Sequence, residues 1–600
     1  MFPVSRPLSQ CIVLITLSLL AACGGSSSSS SSSNTNSSNP PSSNSGQAET
    51  QTHYNQTLVG FDDETVAFTV YVPENPQGKS VPLILHSHGF GLSRAKNFDN
   101  PDPIESFLTN DVSGDVARRA WLEKGFYVIS FDQRGFGETT GSITVMDPDI
   151  DCRNVSQIID WAEENLVNLS FENDDPLIGS VGLSYGGGFQ TVCSSVDKRF
   201  DAIVPLATWS NLPYSLYANN TPKNIWLDIL SVASMGKLEP YLTQAIIGAT
   251  TTGEIDPDTV ARLAGHSPLS FCEGERSDGR TLSNADALFI QGSNDVLFNI
   301  NEAVENYECW KGQGNEAHLF IQKDGHILPA LQTAGRQILF GTEGTLYCDD
   351  QSYATDDLAL NFLADKLQGT SSATIPNVCF SLSEEQTGVI ASDVKRGGSL
   401  NSVVETQIIP GGLSNIVDLL TSLPLQTVLA TLSSLPVEAS STLIAVLTAA
   451  ADPTSLVDYL DDIVNLLPSE LLSQLVAKGV FIPLQTMNND GVLAGIPLAM
   501  LNISGGNGDG NLLYIGLGKL PANGGDFALI NDQVLPIRGS GLLAQEMIGV
   551  SEPIAAGDTI GLMVYGFHPY FTHVASIVQP PIPAAISGTV DLPFIAKTGD

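Results

Sequence analysis

Short apolar runs alternate with helix-spaced stretches from about Tyr54 to Gly369. Val66–Val72, Val81–Ser87 and Phe126–Phe131 read as strands, the last preceded by the helical Val116–Leu122. Leu177–Val181, Ala202–Leu206, Ala287–Gln291 and His318–Gln322 continue the series. Strands separated by helices predict a mostly parallel sheet covered on both faces. Trp209–Asn284 breaks the rhythm with helical character, and in such a sheet it would form a cap over the site.

Beyond Ser371 the pattern changes. From Gly479 to Asp600, runs such as Leu498–Ile503, Asn511–Leu517 and Thr559–Tyr565 are separated by Gly, Asn, Asp and Pro. Closely spaced strands with turn signals predict a β-sandwich. Between the two regimes lies a leucine-rich stretch, Leu413–Val476, cut into short helices by Pro424, Pro436, Pro453 and Pro468. No Lys or Arg falls between Arg396 and Lys478. Without cations it has no pull toward anionic headgroups, so it reads as a helical insertion packed on its own apolar faces rather than a lipid-resting surface.

The first residues read as a targeting segment. Arg6 precedes the apolar run Cys11–Leu20, which is too short to span a bilayer and fits a signal h-region. Leu20-Ala21-Ala22-Cys23 resembles the bacterial lipobox, in which Cys23 is lipidated and becomes the mature N-terminus. Gly24, where an Asp would favour inner-membrane retention, points to an outer-membrane or cell-surface lipoprotein. Residues 24–50 are mostly Ser and Asn and predict a flexible tether.

Composition narrows the partners. A formal net charge of −39 with only 26 Lys plus Arg argues against nucleic acid and acidic substrates, which the overall field would repel. Six cysteines remain after Cys11 and Cys23: Cys152, Cys193, Cys272, Cys309, Cys348 and Cys379. An even number in an exported chain predicts up to three disulfides, with the pairing left open. Their spacing matches no metal site, and no cofactor is called for.

The chemistry centres on Gly182-Leu183-Ser184-Tyr185-Gly186. An apolar segment precedes it and a small-residue run follows, the strand–turn–helix context of a nucleophile elbow. A serine hydroxyl needs a base, and the base needs an acid to orient it. In chain order the acid and then the base should each follow a strand. Asp295 closes Gln291-Gly292-Ser293-Asn294-Asp295 directly after one strand, and His326 follows the next through Lys323-Asp324-Gly325. His53 lies too early, His266 in the cap, His318 at a strand start, and His568 and His573 in the β-region. The oxyanion of acyl transfer should meet the backbone N–H of Tyr185. A second donor is expected from His86-Ser87-His88-Gly89-Phe90-Gly91, at Phe90, with His88 a buried brace of that loop. Arg134, in Asp132–Glu138, is expected to brace neighbouring loops.

These motifs together resemble the X-prolyl dipeptidyl-peptidase and cocaine-esterase-like α/β-hydrolases. The likeness rests on Asp132–Gly137, Val155–Trp161, Ile178–Gly188 and Phe200–Pro205, with Asn531–Val534 and Asp558–Leu562 similar to the jelly-roll segments. It covers about Tyr54–Gly397 and Gly479–Ile595. It implies an α/β-hydrolase fold with a helical cap (about 209–284 within 54–369) and a C-terminal β-sandwich or jelly roll. That second domain is expected from 370–412 and 477–600, carrying the helical insertion 413–476. It also implies a serine hydrolase acting on a small-molecule or peptide substrate, ester or amide, through Ser184, Asp295 and His326. A true Xaa-Pro dipeptidyl-peptidase is the rival enzyme. A non-catalytic surface protein using its jelly roll to hold glycan is the rival of another class.

Overall fold

The computed structural model describes residues 52–596 except 75–77, 79, 99–111, 273, 275, 327–343, 371–373, 383–386, 399, 410–478, 507, 567 and 572–583. The signal segment with Cys23, the Ser/Asn tether, the leucine-rich insertion and His573 lie outside the described residues.

Ten strands form the central sheet. They are β1 (Thr52–Val59), β2 (Thr65–Val72), β3 (Leu83–Ser87), β4 (Tyr127–Phe131), β5 (Ile178–Leu183), β6 (Phe200–Leu206), β7 (Asp286–Gly292), β8 (Ala317–Gln322), β9 (Val378–Leu382) and β10 (Thr387–Ala391). Their order is β1-β2-β4-β3-β5-β6-β7-β8-β9-β10. The seven strands from β4 to β9 in that order are mutually parallel, and β1, β2 and β10 join antiparallel at the edges.

Alternation along each strand explains the two covered faces. Leu83 and Leu85 face one core, with Val155, Ile158 and Ile159 of α2 (Asp151–Asn165), Phe189 and Val192 of α3 (Tyr185–Val196) and Tyr307 of α8 (Ile300–Gly312). Ile84 faces the other, with Val116, Ala120 and Trp121 of α1 (Val112–Leu122) and Leu363 and Ala364 of α9 (Thr355–Gln368). Between β6 and β7 the expected cap is present as α4 (Leu212–Tyr217), α5 (Asn224–Ala233), α6 (Pro240–Thr251) and α7 (Pro257–Gly265).

The central sheet runs further along the chain than the 54–369 expected for the first domain. Residues 378–391, assigned by their sequence to the β-sandwich, instead add β9 and β10 to it, and β9 pairs in parallel with β8. The crossover helix α9 supplies the physical reason, because it returns the chain to the parallel edge. β1 was not evident in the sequence either.

The C-terminal region is built from antiparallel sheets of four, five and three strands. Val404, Leu501, Ile515, Leu562 and Ile586 from the two larger sheets share one buried core, which makes the region a β-sandwich. All six expected cysteines are paired: Cys152–Cys193 joins α2 to α3, Cys272–Cys309 joins the cap's end to α8, and Cys348–Cys379 ties a hairpin to β9.

Candidate active site

Parallel strands end on one edge, so residues just after β5, β7 and β8 meet there. Ser184 follows β5, Asp295 follows β7 and His326 follows β8.

Ser184 sits at φ 60°, ψ −115°, a left-handed strain that an ordinary helix start does not carry. Its amide donates to Leu206 O at 2.9 Å. The flanking glycines are sterically required. A Cβ on Gly182 would lie 2.3 Å from Gly186 O, and one on Gly186 would lie 2.3 Å from Ser87 O. Gln190 of α3 bolts the turn: its Nε2 donates to Gly182 O and Gly186 O, and its Oε1 accepts from Ser180 and the Val204 amide.

Asp295 and His326 are brought together. His326 Nδ1 donates to Asp295 Oδ2 at 2.6 Å, both side chains being buried. Asp295 Oδ1 accepts from the amides of Leu297 (2.9 Å) and Phe298 (2.7 Å), and Gln291 Nε2 donates to Oδ2 at 3.2 Å. Such bonds hold a carboxylate as acceptor and fix which imidazole nitrogen carries the proton. The two loops interlock: Val296 N donates to His326 O, and a Cβ on Gly292 would stand 1.6 Å from Asp324 O.

Ser184 opens into a cavity lined by Phe90, Trp209, Leu216, Leu227, Leu263 and Phe298, among other apolar residues from all four cap helices. Phe298 also packs edge-on against the His326 ring, centroids 5.3 Å apart. Among the described residues, the cavity lining contains no Asp, Glu, Lys or Arg.

The loop after β3 reaches the same place. A Cβ on Gly89 would come 3.9 Å from Ser184 Cβ, and the Phe90 ring packs edge-on against Tyr185 at 5.3 Å. His88 is buried, bonded to Gly89 O through Nδ1, while its Nε2 accepts from the Gln133 amide. That pattern is a neutral brace, and burial pushes its imidazole down from the ordinary value. Arg134 pairs with Asp62 at 2.7 Å, bracing loops as expected.

Several participants escaped sequence reasoning. Lys223, at the start of α5, is buried and donates to Val296 O (3.0 Å) and Leu297 O (3.2 Å) on the acid loop. Burial lowers its ammonium to about 8, against the pull of Asp295 and Glu302. Glu302 is buried and raised to about 7 by desolvation, while Ser215 and the Ser210 and Asn211 amides donate to it. Arg94 and Asp132 form a wholly buried ion pair. A lone Lys at the start of a cap helix or a lone Glu in α8 carries no pattern that marks it, although Asp132 lay in a loop already singled out.

Residues 62–328 match the family described as X-Pro dipeptidyl-peptidase (S15 family). An uncharacterized 31.7 kDa Escherichia coli protein encoded in the traX-finO intergenic region is 31% identical over 141 residues, 24% of this chain. That match spans 41% of the Escherichia coli protein's length. Among solved structures, a CocE/NonD family hydrolase from Staphylococcus aureus aligns with TM-score 0.55 at 12% identity, covering 91% of this chain and 94% of its own. An α-amino acid ester hydrolase aligns with TM-score 0.55 at 13% identity over 90% of this chain and 97% of its own. An aminopeptidase from a Thaumarchaeota archaeon aligns with TM-score 0.53 at 11% identity over 91% and 97%. These likenesses establish the fold across both domains. Residues 62–328, a little under half of the chain, are thus similar to the X-Pro dipeptidyl-peptidase (S15) family, and the fold as a whole is that of the CocE/NonD family hydrolase structure.

Proposed function

We propose that this chain is a serine hydrolase that cleaves carboxylic esters of apolar acids through an acyl-enzyme, with Ser184 as nucleophile, His326 as base and Asp295 as its orienting acid. Ser184 Oγ attacks the ester carbonyl while His326 takes its proton. The alcohol then leaves with that proton, and water repeats the cycle to release the acid. Tyr185 opens α3, where an N–H has no partner within the helix, so it faces the oxyanion, with the Phe90 amide as second donor.

The carrying observation is the cavity beside Ser184, whose lining among the described residues has apolar walls and no carboxylate. A dipeptidyl-peptidase must hold a free α-ammonium, which in an apolar site needs an acidic partner. The family's description favours the peptidase, and the lining favours the ester.

The test uses the full chain and a fluorophosphonate probe. Labelling of wild type and not of Ser184→Ala is expected. Equal labelling of the two sinks the nucleophile. Turnover of p-nitrophenyl esters is expected to exceed that of Gly-Pro and Ala-Pro anilides, and faster anilide cleavage would turn the assignment to the peptidase. The sequence also supports lipidation of Cys23 and attachment to the outer membrane. Palmitate incorporation that disappears in Cys23→Ser is the expected result, and its persistence would refute that anchor.

A further inference from the structure

The acid and base loops are gripped from outside the hydrolase domain. Gln533 of the β-sandwich is buried, and its Nε2 donates to Asp295 O at 2.6 Å and to Ser293 O at 3.3 Å. Two residues earlier, Asn531 Nδ2 donates to Asn294 Oδ1 at 3.0 Å and to Ser293 Oγ at 3.4 Å. The turn that presents them is unusual, with Asn531 at φ 57° and Asp532 at φ 55°. Consecutive left-handed residues other than glycine are costly and persist only where the surroundings require them.

A second grip falls on the other loop. Glu552 of the sandwich accepts from Lys323 Nζ at 2.5 Å, three residues before His326. Lys519 holds the second oxygen of the same carboxylate. Burial alone would push this carboxyl up, yet the two ammonium groups hold it below the usual range, so the pair stays charged in a buried setting.

Resting on the triad assigned above, we infer that the β-sandwich is a working part of the catalytic site: Gln533 and Asn531 position the Asp295 loop, and Glu552 positions the His326 loop through Lys323. The two loops carry the 2.6 Å contact between acid and base, and one body fixes both. These are positioning residues, since none is among the residues that line the cavity beside Ser184. The interface has comparable bonds elsewhere that serve as a control. Asn301 of α8 donates to Met547 O at 3.0 Å and accepts from the Gly549 amide at 2.7 Å.

Gln533→Met keeps length and volume and removes both donors. In the full chain, kcat for p-nitrophenyl esters should fall roughly 10- to 100-fold, the scale of a small misplacement of reacting groups. KM should stay near wild type, Tm should fall no further than in Asn301→Ala, and the rate of fluorophosphonate labelling should fall in parallel. Asn301→Ala, losing as many domain-bridging bonds, should keep wild-type kcat. Should Gln533→Met fail to fold, Asn531→Asp decides, because Asp tolerates the left-handed turn and lacks the amide donor. Unchanged kcat in the folded variant, or an equal loss in Asn301→Ala, overturns the inference. If wild type itself is not labelled at Ser184, the triad reading has failed. If it is labelled, and Gln533→Met is labelled as fast, only the positioning role has failed.

Discussion

Lys223 offers a test that links stability to the site through pH. Its ammonium is buried and lowered from 10.5 to about 8. The unfolded chain keeps that proton until about 10.5, so between the two values the unfolded state binds more protons. Stability contributed by this group therefore rises with pH through the window from about 8 to 10.5. The gap of roughly 2.5 units corresponds to about 3 kcal/mol, which is the cost of holding the charge in the fold at pH 7. Two hydrogen bonds from a charged donor to Val296 O and Leu297 O, each contributing about 1.5–3 kcal/mol, offset that cost. Lys223→Met removes the bonds and the titration together. The variant should be modestly less stable at pH 7, and the difference from wild type should widen by about 3 kcal/mol as pH rises to 10.5. Urea unfolding of both proteins across that range measures it, and titrating groups remote from Lys223 cancel in the difference. A gap that stays constant or narrows with rising pH would show that the ammonium is not desolvated as described.

Two further outcomes follow from the buried chemistry. Replacing Cys152 and Cys193 together by Ala opens a loop of 41 residues behind the nucleophile helix, and closure entropy sets the loss at about 4 kcal/mol, readable as a lower denaturant midpoint. A loss below about 1 kcal/mol would mean that the unfolded chain is already constrained there. His568 is lowered from 6.5 to about 3 by burial, so the unfolded state binds more protons between those values and its contribution falls as pH drops through them. His568→Asn keeps an acceptor for the Tyr570 amide and should flatten the acid limb of the Tm–pH curve. An unaltered acid limb would refute the assignment.

Much of the site was legible because its logic is local. Ser184 announces itself through glycines that the tight strand–helix turn demands. Asp295 and His326 each close a short loop after an apolar strand, and a parallel sheet delivers such loops to one edge. Strand β1 was not legible, because its half-exposed residues alternate too weakly to mark a face. Strands β9 and β10 look like any short β-run, and only pairing with β8 assigns them to the catalytic sheet. Gln533 and Lys223 were silent for another reason: their meaning lies in carbonyl oxygens hundreds or dozens of residues away. Asn531–Val534 could be noticed as a family likeness without revealing that the turn clasps the acid loop. Cysteine count gave the number of bridges, and three-dimensional proximity gave the partners.

The meshing of Gly292 with Asp324, and of Gly325 with Asp295, bears on how such an enzyme can diversify. Neither glycine has room for one added methyl group, so selection for new substrates finds almost no viable variants at these two positions. The cavity wall is made of side chains from separate cap helices, each replaceable without moving its neighbours' backbone. Libraries aimed at new acyl preferences belong on the lid, with the two-loop knot left untouched.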